Sequence, residues 1–187
     1  KSMPALLGEA DLVKTLQQLP GVAVGTEGMT GLYVRGGGAD ENLYLLDGNP
    51  VYHVNHLLGF FSAFNPDAIK NTRFYKGSFP AEYGGRLSSV VDVRMNDGNR
   101  QEYHGNISVG LLSARANLEG PIVKDRSSFN VSVRRTWLDL ITGTALAIVN
   151  KNSDTKESFG YHFFDINAKV NHSFSERSRA YLSFYMG

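Results

Sequence analysis

Apolar and polar residues alternate along the second half of the chain. In residues 128–137, Phe129, Val131, Val133 and Trp137 take one parity and Ser128, Asn130, Ser132, Arg134 and Thr136 the other. Residues 164–174 repeat it, with Phe164, Ile166, Ala168, Val170 and Phe174 against Asp165, Asn167, Lys169, Asn171 and Ser173. Residues 179–186 continue with Ala180, Leu182, Phe184 and Met186 against Arg179, Ser183 and two tyrosines. Period two predicts strands with one apolar and one polar face. Residues 103–118 start with Ile107, Val109 and Leu111 on one face and switch to Leu112, Ala114, Ala116 and Leu118 on the other. A bulge at Leu111-Leu112 is the expected cause. Four strands are therefore predicted beyond residue 100.

These segments run to about ten residues or more, where ordinary strands have about 5–6. Short connections at 121–126 and 175–178 flank a long polar one at about 143–158. Alternating short and long connections is the habit of outer-membrane barrels, and a soluble antiparallel sheet shares the period, so pattern alone leaves both open. The smallest such barrels need about eight strands, so a barrel reading makes this chain a fragment.

The first half has a different rhythm. Leu12, Val13, Leu16 and Leu19 share a face, which predicts a helix over 9–19 with Glu9 and Asp11 in its first turn, ended by Pro20-Gly21. Short strands are expected at 31–35, 43–46, 73–76 and 88–95. Asp47-Gly48-Asn49-Pro50 and Asn96-Asp97-Gly98-Asn99 read as turns, and Asn65-Pro66 as a helix start. Helices and strands are interspersed without βα alternation, which points to a small α+β domain.

Composition narrows the function classes. The 187 residues carry 19 Lys+Arg against 18 Asp+Glu, so no broad basic footprint for nucleic acid exists. Cys is absent, which removes disulfides and thiolate chemistry. The 20 Gly and 20 Phe+Tyr favour β structure. No run reaches the roughly 20 apolar residues of a membrane helix, the longest candidate (137–149) being broken by Asp139 and Thr142.

Candidate chemistry is thin. Arg35-Gly36-Gly37-Gly38 lacks the Lys-Ser/Thr ending of a phosphate loop. His53 and His56 are three apart with no third metal ligand nearby, and read as pocket or loop residues. No nucleophile elbow or Ser-His-Asp set appears. The expectation is a protein that is not an enzyme and carries no cofactor or metal.

Several motifs together are familiar. Tyr33-Val-Arg35-Gly36-Gly-Gly, Asn42-Leu-Tyr-Leu-Leu46-Asp47-Gly48-Asn-Pro-Val51, Phe64-Asn-Pro-Asp67-Ala-Ile69-Lys, Tyr75-Lys-Gly77 and Phe79-Pro-Ala81-Glu-Tyr83-Gly84-Gly85-Arg86 resemble the plug of TonB-dependent outer-membrane receptors. The likeness spans about 3–98, and within the family the text looks closest to Bacteroidetes-type receptors. The resemblance implies an α+β plug domain (1–99) followed by antiparallel β-strands of an incomplete transmembrane β-barrel (100–187). It implies a receptor in the outer membrane of a Gram-negative bacterium. Its plug would fill a barrel of about 22 strands and be rearranged by TonB, through a segment upstream of Lys1, to import a siderophore, glycan, peptide or cofactor. Partners so implied are TonB, the nutrient, outer-membrane lipid and a surface lipoprotein, with no nucleic acid. Arg35 matches the Arg-Gly motif whose arginines pair with wall carboxylates, and Arg86 or Arg94 is its expected companion. Tyr52, His53, Asn55 and His56 fall where plug loops face the extracellular side, and are the expected substrate contacts. Tyr103, Trp137, Tyr161, Phe163, Tyr181 and Tyr185 sit near segment ends, as an aromatic girdle would.

The alternative class is a self-contained soluble α+β or β-sandwich surface module that binds glycan or protein. It requires the second half to bury its apolar strand faces, and exposed apolar faces would count against it.

Overall fold

The computed structural model describes residues 5–6, 9–25, 30–139, 142–143 and 160–187. Most of the predicted long connection at 143–158 lies outside them.

Among the described residues the first half holds one short α-helix, α1 (Leu12–Gln17). Asp11 caps it, its carboxylate accepting from the Lys14 amide at 3.1 Å. Glu9 therefore stands before the helix in a two-residue bridge, and Leu19 lies beyond it, 39% exposed. The expected helix over 9–19 is shorter because an Asp side chain facing the first free amides fixes the start. Leu12, Val13 and Leu16 are buried.

That helix packs on a four-stranded mixed sheet of β1 (Asn42–Leu46), β2 (Asn49–Pro50), β3 (Ile69–Tyr75) and β4 (Ser89–Met95), in spatial order β2-β1-β4-β3. β4 runs parallel to β1 and antiparallel to β3. The β1–β2 hairpin turns on Asp47 (φ 50°) and Gly48 (φ 87°), two positive values in succession, the type I′ geometry that suits a two-residue loop. Leu32, Val34, Tyr44, Leu46, Phe64, Val91, Val93 and Met95 complete the core against α1. The expected helix at Asn65-Pro66 is a single 3-10 turn, Pro66–Ala68, with Asn65 as its cap.

The second half is a meander of β5 (His104–Val109), β6 (Ser113–Val123), β7 (Ser127–Thr136), β8 (Phe164–Ser175) and β9 (Ser178–Met186), each antiparallel to the next. Five strands are present among the described residues, where the pattern predicted four. The segment read as one bulged strand reverses at Gly110–Leu112, with the Gly110 amide donating to Ser113 O at 2.8 Å and Val109 opposite Ala114. A bulge and a hairpin break parity alike, which is why the sequence did not separate them.

Burial in this sheet runs opposite to that of a soluble one. Ser128, Asn130, Ser132, Arg134, Thr136, Asp165, Asn167, Lys169 and Asn171 are buried. Ile107, Leu118, Val131, Val133, Phe164, Val170, Leu182 and Phe184 are exposed. The polar face lies on the first-half domain and the apolar face points away from the molecule.

Backbones meet where the halves join. Gly98 has φ 82°, and a Cβ there would lie 2.1 Å from the Phe129 carbonyl oxygen. Gly98→Ala adds left-handed strain and a clash with a backbone that cannot give, so about 1–3 kcal/mol of destabilisation is expected, read as a lower urea midpoint of the full-length protein.

Candidate functional site: the polar seam between the two halves

Two clusters join the first-half domain to the polar face of the meander. The upper one centres on Asp165, fully buried on β8. Arg134 of β7 donates from Nε at 2.7 Å and also from Nη2 to the same carboxylate oxygen, Oδ2. Tyr185 of β9 donates its hydroxyl to Oδ1 at 2.9 Å. His56, from the first half, places Nε2 2.7 Å from Oδ1 and stacks on Phe163 with ring centroids 4.2 Å apart. Arg134 further donates to the backbone carbonyl of Ser62 at 2.7 Å. The Ser62 amide in turn donates to Asp11 Oδ2 at 2.7 Å. A continuous path of charge-assisted bonds thus runs from the cap of α1 through residue 62 to the meander.

The lower cluster centres on Lys169, 5% exposed. Its ammonium reaches the Asp47 carboxylate at 3.1 Å, Asp97 at 2.9 Å and the Met95 carbonyl at 3.2 Å, and lies 4.6 Å from the Tyr181 ring centroid. Asp97 also receives Lys70 at 2.7 Å. Between the clusters, Asn65 donates to the Ser132 hydroxyl (2.7 Å) and Asn96 to Glu119 (2.7 Å), while Arg115 lies 3.6 Å from Asp67.

Residues 4–91 match the family model "TonB-dependent Receptor Plug Domain". The first half of the chain is thus similar to the plug of TonB-dependent receptors. No curated protein matches the sequence. Among solved structures, the siderophore receptor PirA from Acinetobacter baumannii matches over 98% of this chain with TM-score 0.65 and 18% identity. The match spans 29% of PirA, so this chain corresponds to less than a third of that receptor's length. The fold is therefore that of a plug with part of an adjoining barrel wall, and the polar seam is where plug and wall meet.

The predicted site residues distribute unevenly over this seam. His56 reaches the wall at Asp165. Asn55 accepts from the Thr30 hydroxyl inside the plug, and Tyr52 and His53 are exposed. Arg94 turns to its own strand, donating to Asp92 at 3.1 and 3.2 Å, so its charge is satisfied within the plug. Arg86 is exposed and donates to the Gly85 carbonyl. Arg35 is exposed in left-handed backbone (φ 50°), its guanidinium beside Gly77. The Lys169 contacts fall at the ends of β1 and β4, near Asp47 and Met95, whereas Arg35 and Arg86 flank their starts, near Asn42 and Ser89. Neither arginine meets a carboxylate of the five described strands.

The residues that bridge plug and wall went unnamed as a set in the sequence reading. Their signal was present: Arg134, Asp165 and Lys169 all sit mid-strand on the polar parity. The girdle expectation needs correction in part. Phe163 is buried against His56, and Tyr181 and Tyr185 share the inward parity of β9, beside the two buried clusters. Tyr103 stays at an outer end, its ring covering Gly120 and its hydroxyl donating to the Pro121 carbonyl.

Two outcomes follow. Asp165→Asn removes the buried carboxylate paired with Arg134, His56 and Tyr185, so a loss of about 3–5 kcal/mol in plug–wall stability is expected, while an apolar pair at both positions costs less. Urea midpoints of the two variants in the full-length protein check this. The second concerns acid. Burial opposes the charge on Asp97, but hydrogen bonds from Lys70 and Lys169 and their positive charges outweigh it, holding the carboxyl below its ordinary range. A depressed folded-state value means this attraction is complete above the ordinary carboxylate range and is lost as pH falls through the folded value. Between about pH 5 and 3 the wild-type midpoint should fall more steeply than that of Asp97→Asn.

Proposed function

We propose that this chain is the plug and adjoining wall of a TonB-dependent outer-membrane receptor that imports a nutrient into a Gram-negative cell. The observation that carries the reading is the inverted polarity of the meander. Apolar side chains on the outer face suit lipid, and polar ones on the inner face suit a lumen filled by a plug. Strands β6 to β9 have 11, 10, 12 and 9 residues, close to the 9–11 or so that cross a bilayer at a tilt. The domain boundary near residue 99 follows the same division, with the junction at Gly98 packed on β7. The soluble-module alternative finds no apolar partner for that outer face among the described residues.

On this reading the seam is a set of ionic latches. Buried pairs hold a plug in one register, yet they are short-range and break once sheared apart. A pull applied to the chain upstream of α1 loads Asp11 first, then the Ser62 amide, then Arg134 and Asp165. Among the described residues, several buried amide atoms of the seam have no hydrogen-bond partner: Asn130 Oδ1, Asn167 Nδ2 and both polar atoms of Asn171. Hydrating them as the plug shifts offsets part of the cost of parting the halves. Arg35 and Arg86, at the far end of the plug sheet, belong to ion pairs with wall strands outside this chain. Tyr52, His53 and Asn55 form a substrate-contacting surface. His56 serves the latch as well as that loop. The neighbour PirA is a siderophore receptor; a siderophore, glycan, peptide or cofactor is the class of cargo proposed here.

The test uses the full-length receptor in a Gram-negative host. It should fractionate with the outer membrane, and uptake of the nutrient found by growth screening over those four classes should vanish when tonB is deleted. Recovery as a soluble periplasmic protein, or uptake unchanged without tonB, would contradict the proposal.

A further inference from the structure

A recess of about 160 Å³ opens on the plug, and no wall residue borders it. The start of β1 and the chain leaving β2 build it. Pro50 pairs with Leu45, and the Val51 amide donates to the Tyr44 carbonyl at 2.9 Å, which sets Val51, Tyr52 and Val54 along the recess. Asp40 borders it from a 3-10 turn, Ala39–Glu41. That turn is closed twice: the Gly38 amide donates to the Glu41 carboxylate at 2.9 Å, and the Glu41 amide to the Gly38 carbonyl at 3.1 Å. The Ser88 amide donates to the Glu41 carbonyl at 3.1 Å and the Ser89 hydroxyl to Asn42 Oδ1 at 2.6 Å. Those two bonds bring the loop that carries Arg86 to the same rim.

Two opposite charges border this one space and stay apart. Among the described residues neither Asp40 nor Arg86 has an ion-pair partner, each other included. Both are exposed, and Tyr52 beside them is 78% exposed. The neighbouring Glu41 carboxylate, by contrast, is taken up by the Gly38 amide. Separated charges of opposite sign select a partner by its own charge pattern. A purely anionic cargo is repelled by Asp40 and a purely cationic one by Arg86. A neutral glycan answers neither charge. A molecule with an ammonium and a carboxylate a few bonds apart answers both at once.

We propose that this recess holds a zwitterionic group of the cargo, and that the cargo is therefore a peptide. The inference rests on the transporter reading and narrows its four cargo classes to one. The ammonium faces the Asp40 carboxylate, and the Tyr52 ring bordering the same space adds a cation–π attraction. The carboxylate takes two parallel N–H donors from the Arg86 guanidinium. Pro50, Val51 and Val54 give the carbon skeleton between them an apolar surface. A guanidinium has five N–H donors, so Arg86 can meet a wall carboxylate and a cargo carboxylate on different edges.

The probe is a radiolabelled dipeptide, glycyl-leucine, dialysed to equilibrium against the full-length receptor in lipid nanodiscs. Four unlabelled competitors are compared: the same dipeptide, its N-acetyl form, its C-terminal amide and the neutral disaccharide maltose. Blocking either end should weaken competition by about tenfold or more, the scale of one lost charge-assisted hydrogen bond. Maltose should not compete. In Asp40→Asn the N-acetyl penalty should vanish while the amide penalty stays. In Arg86→Gln the amide penalty should vanish while the N-acetyl penalty stays. This crossover is a readout that a merely structural role for either residue would not produce. No saturable binding at millimolar dipeptide, equal competition by the blocked forms, or maltose competing as well as the dipeptide overturns the inference. Penalties that survive both substitutions overturn it too. The two levels of claim separate cleanly. If the receptor fractionates with the outer membrane and its uptake needs tonB while these competitions fail, only the peptide assignment is lost. If it is recovered as a soluble periplasmic protein, the transporter reading itself is lost.

Discussion

A carboxylate with no solvent exposure has to be surrounded, and Asp165 is surrounded from both halves of the chain. Arg134 and Tyr185 come from neighbouring wall strands and His56 from the plug, while Arg134 ties on to the backbone at Ser62. Each of those groups is positioned by something else. Arg134 sits opposite Asp165 by register, since the two are paired across β7 and β8. His56 is held flat against Phe163. Ser62 is fixed by the cap residue of α1. Removing the central charge would leave a buried guanidinium facing the plug, which is why the docking of two otherwise separate sheets depends on this one residue.

The wider constraint is the direction of burial. A sheet that hides Ser, Asn, Lys and Arg and displays Val, Leu and Phe is unstable in water unless its outer face has an apolar environment. The plug solves the other half of the problem. It offers the inner face hydrogen-bonding partners at Asn65, Asn96, Asp47 and Ser62 in place of a hydrophobic core. Plug and wall therefore have separate reasons to be folded: the plug has its own apolar core around Val13, Leu32, Val91 and Val93, and the wall has its ladder of strands. The seam between them is polar and partly unsatisfied. Such an interface can be specific in register without being strongly cohesive.

Much of this was legible in the sequence, for physical reasons that differ by element. Strands β7, β8 and β9 showed because alternation survives inversion: period two marks a strand whichever face is buried. The Asp47-Gly48 turn showed because two successive positive φ angles demand those residue types. The reversal at Gly110 was hidden, since a hairpin and a bulge shift parity identically. Helix α1 read too long because Leu19 fits the periodicity while the Asp11 cap fixes the start. The latch residues were harder to name. Arg134, Asp165 and Lys169 read only as members of polar strand faces, and only the pairing of distant strands shows them enclosed. Arg94 had the right chemistry for a wall contact and found its carboxylate two residues away instead. Motif likeness pointed to the plug, but which charges close the seam is a three-dimensional fact.

The claim on which the account turns is that alternate residues of β8 face lipid and plug. Nitroxide labels placed singly at 164–171 in the full-length receptor in nanodiscs, read by EPR for collision with oxygen and with a polar nickel chelate, test it residue by residue. The account predicts a two-residue period: high oxygen and low nickel access at Phe164, Ile166, Ala168 and Val170, and low access to both at Asp165, Asn167, Lys169 and Asn171. High nickel access at the even positions, or the absence of any alternation, would contradict it.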